Sequence, residues 1–129
     1  MTAEPWPQTL TARTLFSEDL PEAIAFYTRF LNSDPHWGDA VSSVFRAGPT
    51  MINLLQVAAV PALIEPATMA PPGIRAVYTL TVSNVDAEAA RLTAAGLTLL
   101  NGPIDRPWGI RSLSLQDPAG HVWELAQTL

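Results

Sequence analysis

Glu124 and Arg111 are the pair whose types and spacing point most directly to chemistry in this 129-residue chain. They sit in its closing stretch, where two apolar-rich runs, residues 110–116 and 121–127, flank Asp117-Pro118-Ala119-Gly120. Asp, Pro and Gly favour a tight reversal through a side-chain acceptor, a fixed φ and tolerance of φ > 0 respectively, so the stretch reads as an antiparallel hairpin. With Asp117 facing Gly120, Leu113 falls opposite Glu124 and Arg111 opposite Ala126. Strand alternation then places Arg111, Leu113, Leu115, Val122, Glu124 and Ala126 on one face and Trp123 and Leu125 on the other. A carboxylate among aliphatic groups can recognise a ligand amine or hydroxyl, or serve as a general base where desolvation raises its pKa. The alternative is an internal ion pair with Arg111, diagonal to it on the same face. Arg111 can equally clamp an anionic ligand.

Other polar groups carry weaker signals. His36 has no acid or nucleophile at a recognisable spacing, and His121 points away from Glu124 as a surface residue. No Ser/His/Asp arrangement and no glycine-rich phosphate loop occurs. Trp108, before Gly109, either stacks on an aromatic ligand or covers a strand end. Trp37, in a polar loop, suits a ligand edge, a dimer contact or packing on the first helix.

The elements that position these residues form a duplicated pattern. Residues 9–17 alternate as a strand, with Arg13 and Leu15 opposed to Ala12, Thr14 and Phe16. Asp19 then stands three residues before Glu22 as a capping box. Leu20, Ile24, Tyr27 and Leu31 make a helical stripe, which ends at residues 32–35. Strands follow around Trp37, over 41–46 and, after a Gly48-Pro49 turn, over 50–57. Residues 58–73 hold four of the twelve prolines and read as a connector, neither regular helix nor central strand. The pattern restarts with a strand over 74–82, an Asn84 cap, a Val85, Ala89, Leu92 stripe stopped by Gly96, a strand over 97–101 and the hairpin. Asn53-Leu54-Leu55-Gln56 recurs as Glu124-Leu125-Ala126-Gln127. The prediction is one α+β domain over 1–129, with βαβββ modules at 9–57 and 74–127 and a linker at 58–73.

Composition narrows the function classes. Net charge is −5, with seven basic residues, all arginine. A phosphate-tracking surface is therefore not expected, nor is a nucleic-acid partner. The absence of cysteine excludes disulfides, thiolate catalysis and cysteine-ligated metals. Residues 1–7 lack a signal pattern, and the longest apolar run, 57–64, is broken by Pro61 and too short to cross a bilayer. The expectation is a cytoplasmic protein without a membrane partner.

Asp19, Leu20, Ala25, Phe26 and Tyr27 at the first helix, with Trp108-Gly109-x-Arg111 and Asp117-Pro118-x-Gly120-His121-x-Trp123-Glu124, resemble the glyoxalase/bleomycin resistance protein/dioxygenase family, the vicinal oxygen chelate superfamily. The resemblance covers nearly the whole chain. It implies two βαβββ modules whose mixed sheets curl into a cup with helices outside, a homodimer, and a ligand held in the cup. Metal-using members take ligands from the first and last strands of each module. The matching positions here are Ala12, Asn53, Val77 and Glu124. One strong ligand in four cannot hold a divalent ion against water, so no cofactor is expected. The implied ligand site comprises Phe16, Val44, Met51, Asn53, Leu55, Thr79, Trp108, Arg111, Leu113 and Glu124, mostly aliphatic with a few polar groups, as small-molecule sites are. The expected function is metal-free binding of a small aromatic or cationic drug or metabolite, as in antibiotic resistance. The alternative is a metal-dependent lyase, isomerase or dioxygenase with Glu124 as its catalytic candidate. A third reading is a dimer module with a vestigial cup.

Overall fold

The structure, a computed structural model, describes residues 9–129; the stretch read for a signal pattern lies outside them. The first module runs β1 (Ala12–Ser17), α1 (Leu20–Phe30), β2 (Trp37–Gly38), β3 (Ser42–Ala47) and β4 (Thr50–Gln56). A 3-10 turn (Val57–Ala59) and a short helix α2 (Val60–Ile64) follow. The second module is β5 (Val77–Thr81), α3 (Val85–Ala94), β6 (Leu99–Arg106), β7 (Ile110–Gln116) and β8 (Val122–Thr128). Each module builds one four-stranded mixed sheet, in the orders β1-β4-β3-β2 and β5-β8-β7-β6, with the first strand parallel to the last. The α+β architecture and the duplication are as the sequence predicts.

The duplication reaches individual hydrogen bonds. Asp19 and Asn84 are both extended N-caps whose side chains accept from the backbone N–H three residues on. The last strand of each module also supplies a glutamine to the same helix. Gln56 Oε1 accepts from Leu20 N at 3.1 Å and Gln127 Oε1 from Val85 N at 2.9 Å. A second orphan amide at each helix start is thereby satisfied, and the helix is tied to its own sheet.

Three expectations need correction. Part of the 58–73 connector is helical, because Pro61 sits in the first turn of α2, where its missing N–H breaks no bond. Strand β6 extends to Arg106, beyond the predicted end at 101, with register irregularities on both sides of Asn101. Most consequentially, the β7–β8 pairing is offset by one residue. Asp117 N donates to His121 O, and Gly120 adopts φ 102 inside the loop rather than closing the ladder. The connection is thus one residue longer than assumed. Ser114 faces Glu124, Leu113 faces Leu125 and Arg111 faces Gln127. A slip of one residue moves every side chain of β7 to the other side.

Both modules contribute to one core. Leu15, Phe45, Ile52 and Leu54 from the first sheet and Leu113, Leu115, Trp123 and Leu125 from the second lie in the same buried cluster as the α1 residues Leu20, Ala23, Phe26, Tyr27 and Phe30. The Tyr27 ring is 6.1 Å from Phe45 on β3 and 6.2 Å from Trp123 on β8. In a single continuous sheet, with β1 beside β5, those strands would stand four spacings apart, about 19 Å. One side chain bridges them only because the helix-covered faces of the two sheets are turned toward each other. Helix α1 therefore buries more than its predicted stripe: Ala23, Phe26 and Phe30 join Leu20 and Tyr27, while Ile24 and Leu31 are only partly buried.

Candidate functional site

The face of the first sheet away from α1 carries Thr14 and Phe16 from β1, Val44 from β3, and Met51, Asn53 and Leu55 from β4. Thr14, Val44, Asn53 and Leu55 line a cavity of about 440 Å³, with Trp37 of β2 and Leu63 of α2 also in its wall. Trp37 and Leu63, 59% and 61% exposed, give that wall a solvent-facing apolar rim. Asn53 Nδ2 donates to Thr14 Oγ1 at a long 3.4 Å. Asn53 Oδ1 is buried and, among the described residues, has no hydrogen-bond partner. An apolar recess with one aromatic side chain and one unsatisfied acceptor is suited to a small organic molecule that carries a donor.

The corresponding face of the second sheet holds Glu124, flanked by Thr79 on β5 and Ser114 on β7. Glu124 is half-buried, and Thr79 Oγ1 donates to its Oε1 at 2.9 Å. The guanidinium on this face belongs to Arg106, whose Nε donates to Ser112 Oγ at 3.2 Å and Nη2 to Asn101 Oδ1 at 3.3 Å.

Arg111, expected beside Glu124, lies on the opposite side of the sheet. It makes ion pairs with Asp86 of α3 and Asp105 of β6, both at 3.0 Å. Those two hydrogen-bonded carboxylates raise its guanidinium pKa further, and the bond from Arg111 in turn lowers that of Asp86. Leu113 and Leu115 are fully buried in the core and line no cup. The Glu124–Arg111 pair is therefore replaced by Glu124–Thr79 and Arg111–Asp86/Asp105. Trp108 is 68% exposed at the β6–β7 turn, away from the cavity.

Asn53 and Glu124 occupy equivalent places on outward faces, and those faces look to opposite sides of the molecule because the inner faces share the core. Within one chain they do not meet. The connector residues Ala59, Ala62 and Leu63 were not expected in the wall; the apolar run 57–64 was their only sequence signal.

The residues at the metal-ligand positions do not fit a divalent ion. Ala12 and Val77 bear no donor atom, Asn53 offers an amide, and Glu124 is the one carboxylate, already engaged by Thr79. Among the described residues there is no cluster of three His, Asp or Glu side chains able to hold a metal.

Two βαβββ modules around one core define a paired-module α+β fold. The glyoxalase/bleomycin resistance protein/dioxygenase superfamily profile matches residues 9–125, and the chain belongs to that family. Its fold is similar to a glyoxalase-related enzyme from Fulvimarina pelagi (TM-score 0.81, 24% identity, 95% of this chain and 89% of that one). It is likewise similar to a lactoylglutathione lyase from Agrobacterium tumefaciens (TM-score 0.76, 22% identity, 94% of each chain). At these identities the likeness concerns the fold alone. An uncharacterised protein of Mycobacterium bovis is 44% identical over 48 residues, 37% of this chain, and that match spans about a third (32%) of the relative. Among the described residues no helix is long and apolar enough to cross a membrane.

Proposed function

We propose that the protein is a metal-free binder of a small aromatic or cationic organic molecule, held in a cup that two copies of the chain build together. The observation that carries this reading is Asn53 Oδ1, a buried acceptor without a partner in the wall of the cavity beneath the exposed Trp37. A stranded acceptor costs about 1–3 kcal/mol, and a ligand N–H or O–H removes that cost while the indole stacks on its ring. Among the described residues no strand pairs with the outer edges of β1 and β5, and those edges supply the join. A two-fold partner that sets its β5 beside β1 brings the partner's Glu124 opposite Asn53, which adds a carboxylate for a cationic group. Such a site has one carboxylate, one amide and two threonine hydroxyls, a donor set suited to organic recognition rather than to zinc, nickel or iron.

Native mass spectrometry of the purified protein tests this directly. The expected spectrum is a dimer with a co-purified organic molecule that Asn53→Leu and Glu124→Gln each release. A dimer whose bound molecule survives both substitutions places the ligand elsewhere. Elemental analysis with about one metal per chain, lost on Glu124→Ala, overturns the metal-free reading.

A further inference from the structure

A second cavity, of about 260 Å³, opens between the modules beside the shared core, and Thr79, the hydroxyl partner of Glu124, also lines it. Its walls include Ile52 of β4, Leu80 of β5 and Trp123 of β8, and its polar end is formed by Arg13 of β1 and Tyr78 of β5. Arg13 Nη2 donates to Tyr78 Oη at 2.7 Å, with the guanidinium carbon 4.4 Å from the centre of the phenol ring. The phenol accepts in this contact. Its own O–H therefore remains available to donate, as do further guanidinium N–H groups. Arg13 is half-buried, and no carboxylate among the described residues lies within ion-pairing distance of it; Arg106 shares that state but is engaged by Ser112 and Asn101, while Arg91 and Arg111 are ion-paired. The hydroxyl of Thr50, also in the wall, is committed to Leu10 O at 2.9 Å.

We propose that this inter-module cavity binds a small amphiphilic carboxylate, its two oxygens taken by Arg13 N–H and Tyr78 O–H and its apolar body by Ile52, Leu80 and Trp123. The donors lie 2.7 Å apart, close to the spacing of the two oxygens of one carboxylate, and a guanidinium prefers that planar anion. A single cation in an apolar chamber suits a monoanion with a hydrocarbon body. A phosphate, with more charge and more acceptors, would be left undersatisfied. In a chain of net charge −5, a half-buried cation without an acid partner has no evident structural counter-charge, and the ligand supplies one.

The test is a titration followed by the Trp123 indole and Leu80 methyl NMR signals, with sodium benzoate and sodium octanoate as probes. Benzamide, benzylamine and octylamine serve as isosteric controls. Both carboxylates are expected to shift those signals in the millimolar range or below, and the neutral and cationic analogues are not. Tyr78→Phe, which keeps the ring, and Arg13→Gln are each expected to weaken benzoate binding about tenfold or more, the usual loss for a charge-assisted bond. Melting curves of both variants check that they fold, and Tyr78→Phe alone decides if Arg13→Gln does not. Equal binding of benzoate and benzamide, undiminished affinity in Tyr78→Phe, or no shift of either signal overturns the proposal. Shifts confined to Asn53 and Glu124 would also overturn it, by placing the carboxylate on the outward faces.

Discussion

Tyr27 ties α1 to both the β7–β8 loop and β8. It is fully buried, donates to Asp117 Oδ2 at 2.6 Å and accepts from Trp123 Nε1 at 2.9 Å. Burial, reinforced by the neighbouring Asp117 charge, drives its pKa far above the ordinary 10.0, so the phenol stays neutral and keeps donating. For Asp117, burial alone would raise the pKa, but hydrogen bonds from His121 and Tyr27 outweigh it and hold the carboxyl below the usual 3.8. A depressed carboxylate stabilises the fold above its unfolded pKa, and that contribution disappears as pH falls through the folded value. Denaturant titrations across an acid series should therefore show stability declining below about pH 4, with a flatter acid limb in Asp117→Asn. The raised phenol acts oppositely: its contribution is present below pH 10 and declines above it, a limb that Tyr27→Phe should remove. At neutral pH, Tyr27→Phe should cost about 1–3 kcal/mol by urea unfolding, because the Trp123 indole N–H is left buried without an acceptor.

At the scale of elements, close approach and loop length decide more than propensity does. Gly102 has φ 84, and a Cβ there would meet Ser112 O and lie 2.7 Å from Leu113 Cα, all backbone of the neighbouring strand. Gly48 also has a positive φ of 59, but nothing lies within 4 Å of a Cβ there. Gly102→Ala should therefore prevent folding or cost several kcal/mol, whereas Gly48→Ala should cost only about 1 kcal/mol, both read from thermal melts. Gln127 bridges β8 to α3 through Val85 N. Gln127→Ala should lower stability by about 1 kcal/mol, since the amide it served returns to the unsatisfied set. The β7–β8 loop controls a larger outcome. Its extra residue puts Leu113 and Leu115 into the core and Ser112 and Ser114 on the outward face.

For the whole molecule, back-to-back sheets leave the Asn53 and Glu124 faces directed away from each other, and both present exposed apolar groups. Val77, on the edge strand β5, is 54% exposed. If a second copy covers these faces, light scattering should report a dimer at micromolar concentration. Val77→Arg should then shift it toward monomer without altering the far-UV circular dichroism, because the residue is outside the core. A monomer in the parent at that concentration would refute the shared cup.

Much of this protein was legible in residue order. Local signals such as the Asp19 and Asn84 caps and the Gly96 stop act within a few residues, and the recurrence of the Asn53–Gln56 strand as Glu124–Gln127 exposed the duplication. Those same local rules located β4 and β8, and with them Asn53 and Glu124, the two polar positions of the candidate site. The partner of Glu124 was not legible. Asp-Pro-Ala-Gly is compatible with loops of two lengths, and a period of two converts one residue of ambiguity into a complete change of face. Only the tertiary structure decided that Arg111 pairs with Asp86 and Asp105, that Leu63 of the connector joins the cavity wall, and that Arg13 meets Tyr78. These contacts depend on how two similar modules stack, and stacking is governed by the buried apolar surface around Tyr27 and Trp123 rather than by any local pattern.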